Sequence, residues 1–187
     1  STTDTTYYTL LGFLAAIGVP ADQVTIVPSG PVNVFKSLIE GKVDVMAGVP
    51  DWVVSVQRSG IKTMIFRSDE FFPSLAQALL SSDASIARRP EVLNAFVRAT
   101  LRGLQESVRA PQEAAALMAK NFPQQKGKED EIADVIRYYA EHVYPGQRRP
   151  GEVNALRLEK VQAFYRNRNI IAQSTPVKDL FAPQFTA

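Results

Sequence analysis

The chain has 187 residues, and its 45% hydrophobic content is enough for a packed core in one large domain or two small lobes. The 21 basic and 19 acidic residues are interspersed and give a formal net charge of +2. Nucleic-acid binding requires clustered Lys and Arg, so we do not expect nucleic acid as a partner. Cysteine is absent, which excludes disulfides, thiolate metal sites and a thiol nucleophile, and we expect neither a metal nor a cofactor.

The first third of the chain alternates helical patterns with short β-branched runs. The first two helical patterns have an apolar face and end at a Gly. The alternation predicts right-handed crossovers and a parallel sheet. The predicted helices span residues 5–18, 31–41 and 50–57, and the predicted strands span residues 24–27, 43–46 and 61–66.

The remainder of the chain is mostly helical in pattern. A domain boundary is predicted near residues 68–74, and residues 74–81 are a strand candidate. The irregular tail, residues 176–185, carries apolar side chains, so we expect it to be fixed to the body of the protein. The predicted helices here span residues 90–108, 110–120, about 132–139 and 152–167.

Five segments, taken in order, resemble a known family. They are LIEGKVDV (residues 38–45), RPEVLNAFVRATLRGL (89–104), APQEAA (110–115), VQAFY (161–165) and PVKDLF (176–181). In order and spacing they resemble the substrate-binding proteins of ABC importers, in the branch that serves nitrate, sulfonates, taurine and thiamine-pyrimidine precursors. The resemblance covers nearly the whole chain.

This resemblance implies a type II periplasmic-binding fold, which is an α/β fold of two lobes with parallel-rich sheets. Residues 1–70 would form the second lobe, with its βα units and ligand-facing loops. Residues 71–187 would form the returning part of the first lobe with the C-terminal helices. The N-terminal part of the first lobe would be missing from this sequence, so we expect a missing segment or a second chain to complete that lobe.

Three loops are the predicted ligand-binding sites, because loops at the carboxyl ends of parallel strands line a crevice with helix N-termini. In the first loop, Ser1, Thr2 and Thr3 begin a helix, where hydroxyl and N–H groups suit an anion; the alternative is plain N-capping. In the second, Ser29 and Gly30 end a predicted strand, where a Gly lets the backbone approach a ligand; the alternative is a turn into a helix started by Pro.

The third loop contains Gly48, Asp51 and Trp52, and it is the strongest candidate. The indole of Trp52 suits stacking on an aromatic or cationic ligand, and its N–H suits donation to an oxygen. The alternatives are a core position for Trp52 and helix capping for Asp51.

We therefore expect a solute-binding protein, not an enzyme, that delivers a small organic anion or heteroaromatic compound to the membrane permease of an ABC importer. Its expected location is periplasmic or extracytoplasmic, with a membrane anchor in the missing N-terminal sequence as one option. One alternative is the effector-sensing domain of a transcription regulator or receptor. Another, a pyrimidine-phosphate synthase of the same fold, is disfavoured because that enzyme uses histidine and a cysteine-rich loop. This chain has a single histidine, His142, and no cysteine.

Overall fold

The computed structural model describes residues 2, 4–72, 74–75, 77–147 and 149–185. The chain divides into two compact units. Unit 1 comprises residues 1–75 and 156–174, and unit 2 comprises residues 76–155 and 175–187. The assignment of residues 1–70 and 71–187 to two lobes stays a prediction.

Helices form where the apolar periodicity predicts them. Four of them have a Pro in the first turn, where its fixed φ suits a helix and its missing N–H costs no hydrogen bond. Two shorter helices, α4 and α5, have no counterpart among the predicted elements. The α-helices of the described residues are α1 Thr5–Ala16, α2 Gly30–Ile39, α3 Pro50–Arg58, α4 Ser68–Phe71, α5 Asp83–Arg88, α6 Pro90–Arg109, α7 Pro111–Asn121, α8 Glu129–His142 and α9 Ala155–Arg166.

The predicted α/β fold with parallel-rich sheets is wrong, because none of the described residues forms a strand. Some backbone is locally extended as predicted; Val24, for example, has a φ of −122° and a ψ of 127°. A strand also needs a neighbour that accepts and donates its backbone hydrogen bonds, and β-branched composition does not supply one. The apolar side chains of these segments are exposed instead, with Met64 at 78% and Leu80 at 95%.

Unit 1 is built on helix pairs and aromatic contacts. Helix α2 packs against α3, and α1 packs against α4 and against the 3-10 turn Ala21–Gln23. Phe13, on α1, contacts the rings of Phe66 and Phe71 at centroid distances of 5.8 and 4.8 Å. These contacts tie α1 to the segment that ends at α4.

A second aromatic contact fixes residues 156–174 to the rest of unit 1. Phe72, which is 4% exposed, stacks on Phe164 with centroids 4.7 Å apart and planes within 11°. The guanidinium of Arg168 lies 3.7 Å from the centre of the Phe164 ring. Gly12 packs against both rings, because a Cβ there would lie 2.9 Å from Phe72 Cζ and 3.1 Å from Phe164 Cε1. An added Cβ at Gly12 would therefore require α1 or the two rings to shift.

Unit 2 is a group of packed helices. The buried residues of α7 and α8 are alanines, Ala115, Ala119 and Ala133, and small side chains let two helices approach closely. At the edge of this contact, Gln112 donates to Asp130 at 3.0 Å and accepts from Arg137 at 2.9 Å. Helix α6 packs against α5, α7, α8 and the turn Pro183–Phe185. The expectation that the tail is fixed to the body is confirmed for that turn.

Replacing Phe72 with Ala should lower the free energy of unfolding by about 3 kcal/mol, because it removes a buried ring and leaves a cavity beside Gly12. Urea unfolding followed by the fluorescence of Trp52, which also belongs to unit 1, measures this change. As a control, Phe96→Ala removes a ring that is 57% exposed and should change the value by less than about 0.5 kcal/mol. Equal effects of the two substitutions would contradict a structural role for the stack.

Candidate functional site

In the first predicted loop, the carboxylate of Asp4 caps the N-terminus of helix α1. Thr2 is exposed in a turn, and Ser1 and Thr3 lie outside the described residues. Asp4 is the N-cap of α1 and accepts from Thr6 twice, from its backbone N–H at 2.9 Å and from its hydroxyl at 3.0 Å. These hydrogen bonds, the backbone one first, lower the pKa of Asp4 below its ordinary value. The helix end that was predicted to favour an external anion therefore holds an anion of the chain itself.

The second loop has a backbone reason for its glycine. Gly30 has a φ of +70°, in the left-handed region that favours glycine, and nothing lies within 4 Å of the position its Cβ would take. The hydroxyl of Ser29 donates to the carbonyl of Val27 at 3.2 Å. The turn conformation therefore accounts for Gly30, and the Ser29 hydroxyl has a partner in its own loop.

The third loop brings its residues together. The Cβ position of Gly48 is 2.9 Å from Cε3 of Trp52 and 3.1 Å from Cε of Met46. Met46, Gly48 and Trp52 are therefore in mutual proximity, and we refer to these three residues as the Trp52 cluster. Trp52 and Met46 are half-buried, so part of the indole remains accessible.

Asp51 lies beside this cluster in the first turn of α3. A carboxylate in a first turn is stabilised by the positive end of the helix dipole. Its backbone carbonyl also accepts from the Ser55 hydroxyl at 3.1 Å. The N-cap of α3 is Val49, so Asp51 lies within the first turn and is not the cap of this helix.

The structure joins two of the three predicted loops through their helices. Gly30 begins α2, Asp51 and Trp52 lie in α3, and α2 packs against α3. No contact described for Thr2 joins it to the Trp52 cluster. Sequence reasoning missed two contributors, Asp4 as the cap of α1 and Met46 as a neighbour of Gly48. The spacing of Asp4 before a helical pattern was a usable signal, whereas a thioether in a predicted strand gives none.

The described residues also bear on a metal site, on the role of His142 and on membrane-spanning helices. No group of three His, Asp or Glu side chains converges as metal ligands within them. His142 ends α8, where its ring contacts that of Tyr138 at a centroid distance of 4.4 Å. Of the helices described, none is long and apolar enough to span a bilayer.

Comparison with known proteins defines the class. The chain is 31% identical over 119 residues to the riboflavin-binding protein RibY of Chloroflexus aurantiacus. The match covers 63% of this chain and 34% of the relative, so the chain spans about a third of the length of that curated protein. No solved structure is significantly similar. The chain is thus similar to part of a ligand-binding protein, which supports a substrate-binding family of the ABC type.

Residues 1–114 match the family model described as NMT1/THI5 like. The chain belongs to the NMT1/THI5-like family. This membership supports the substrate-binding family of the ABC type that the sequence resemblance predicted, while the nitrate, sulfonate and taurine branch stays a prediction.

Replacing Asp4 with Ala should lower the free energy of unfolding by about 1 kcal/mol near neutral pH, because the first turn of α1 loses its acceptor. Asp4→Asn keeps an acceptor and should cost less. The pKa of Asp4 is lower in the folded than in the unfolded chain. Its contribution is therefore fully present above the unfolded value and is lost as pH falls through the folded value.

Urea unfolding at about pH 6 and about pH 2 measures this difference. The wild-type protein should lose more stability on acidification than Asp4→Asn does. Asp44→Asn, at an exposed bend, is the matched control and should behave as the wild type. Identical acid dependence of the wild type and Asp4→Asn would exclude a stabilising carboxylate at this helix end.

Proposed function

We propose that this protein is the solute-binding component of an ABC importer for a flat heteroaromatic ligand of the flavin kind. In this proposal it acts outside the cytoplasm and delivers its ligand to a membrane permease. The observation that carries the choice of ligand is the half-buried indole of Trp52, held beside Met46 and Gly48. A relative named for riboflavin binding supports the same ligand chemistry.

The indole offers the interaction that a flat ring system needs. Aromatic pairs in offset or edge contact gain about 0.5–1.5 kcal/mol beyond the area they bury. The isoalloxazine of a flavin is a planar, three-ring system, so it presents a large face for this contact. In the proposed complex, the accessible part of the indole stacks on that face and the N–H of Trp52 is free to donate to a ring or side-chain oxygen.

The electrostatics favour a ring ligand over a small organic anion. An anion at the start of α1 would face the carboxylate of Asp4, which already accepts from Thr6. Like charges at one site oppose binding unless a cation is interposed. The anionic ligands predicted from the sequence, such as sulfonates, therefore have weaker support than a heteroaromatic ligand.

Delivery to a permease adds one energetic requirement. The ligand must bind the conformation that the permease recognises more tightly than other conformations, because equal affinity for both would shift no population. A large stacked ring is suited to this role, since its contact area is sensitive to small changes in the geometry around the indole.

Trp52→Ala should weaken riboflavin binding at least about tenfold, because the stacking surface is removed. Trp52→Phe keeps an aromatic face and should weaken it less. Riboflavin fluorescence anisotropy measures the dissociation constants without using the protein's own emission. Phe96→Ala, which removes an exposed ring in unit 2, should leave the affinity unchanged.

Two outcomes decide against this proposal. One is the absence of riboflavin binding by the wild-type protein at concentrations where a taurine or nitrate titration gives a signal. The other is unchanged riboflavin affinity in a folded Trp52→Ala variant.

A further inference from the structure

Gly48 occupies a position where the chain has no room for a side chain. A Cβ at Gly48 would lie 2.9 Å from Trp52 Cε3, 3.1 Å from Met46 Cε and 3.6 Å from Met46 Sδ. Carbon atoms in ordinary van der Waals contact are about 3.5–4.0 Å apart. The six-membered ring of the indole and the thioether of Met46 therefore both lie next to the position that a Cβ at Gly48 would take.

The backbone conformation does not explain this glycine. Gly30 has a φ in the left-handed region, whereas the φ of Gly48 lies outside it. An alanine at Gly48 would thus meet no conformational strain of that kind. An added Cβ would instead require the side chains of Trp52 or Met46 to shift.

We propose that Gly48 is a positioning residue that sets the orientation of Trp52 for a stacked ring ligand, with the thioether of Met46 bounding the same space beside Gly48. This inference rests on the proposed function, because it concerns the same indole. Met46 has three rotatable side-chain bonds and is able to move its methyl group away from an added Cβ. The indole is a rigid plate, so relieving its contact with an added Cβ moves the whole ring by about 0.5 Å or more.

A displacement of this size matters at a binding site. Productive geometry in preorganised sites is held within about 0.5 Å and about 10–20°. An added methyl group at Gly48 should therefore reduce the stacking of a ligand on Trp52 even though it touches no ligand itself. The same methyl group should change the environment of the indole in the ligand-free protein.

The experiment compares Gly48→Ala with Gly103→Ala. Gly103 lies within α6, and nothing lies within 4 Å of its Cβ position, so it is a matched glycine-to-alanine control without the packing constraint. Trp52 is the only tryptophan of the chain, so the intrinsic emission reports on this indole alone. The measurements are the emission spectrum of the ligand-free protein, the urea midpoint and the riboflavin dissociation constant.

Gly48→Ala should shift the indole emission and weaken riboflavin binding about tenfold, while Gly103→Ala should change neither. Met46→Ala tests the same constraint without adding an atom, so it remains informative if Gly48→Ala does not fold. Removing the thioether should open space beside Gly48 and Trp52, shift the indole emission and weaken riboflavin binding several-fold.

The outcomes separate this inference from the proposed function. If the wild-type protein does not bind riboflavin, the proposed function fails, and the positioning role for that ligand fails with it. If the wild-type protein binds riboflavin and both folded variants bind it equally well, the proposed function stands and the positioning role of Gly48 is overturned. A shifted emission with unchanged riboflavin affinity overturns it as well, because the contact is then structural only.

Discussion

The stack of Phe72 on Phe164, seated against Gly12, is the contact on which the organisation of unit 1 depends. It joins residues that are ninety-two positions apart in sequence and brings α9 back to the start of the chain. The Arg168 guanidinium covers the other side of the pair, and Arg157 donates to the carbonyl of Ser74 at 2.6 Å close to the same junction. Helix α1, whose N-cap is Asp4, packs against this stack through Gly12.

The helices could be predicted from sequence because their determinants are local. Apolar steps of three and four residues, Pro in the first turn and Gly near the end act within one helix, and α2, α3, α6 and α7 show all or most of them. The sheet could not be predicted in the same way. Residues 61–66 have strand-like composition, but pairing requires a partner elsewhere in the chain, and composition does not specify whether one is within reach. The β-branched pattern therefore indicated local extension and no more.

The candidate site likewise has one part that follows from local sequence and another part that depends on contacts and competition between residues. The loop before α3 was predictable, since a Gly, a helix-starting Pro and an aromatic residue stand within five positions of one another. The roles of Asp4 and Met46 depend on competition and packing. Asp4 stands among five hydroxyl residues that all suit an N-cap, and only the geometry at Thr6 selects the carboxylate. The part played by Met46 depends on a contact across Gly48 that no residue pattern encodes.

The chemistry of the Trp52 cluster bears on how a ligand would be discriminated. A thioether, an indole face and a glycine backbone recognise the shape and polarizability of a ring and offer few hydrogen bonds. Contacts of this kind separate ligands that differ by a methylene group only about 10–200-fold, whereas a buried polar group left unpaired by the wrong ligand discriminates far more strongly. Affinity for a flat ring and selection among flat rings therefore need different groups. In the proposed complex the Trp52 cluster would supply the first, and polar side chains around it would have to supply the second.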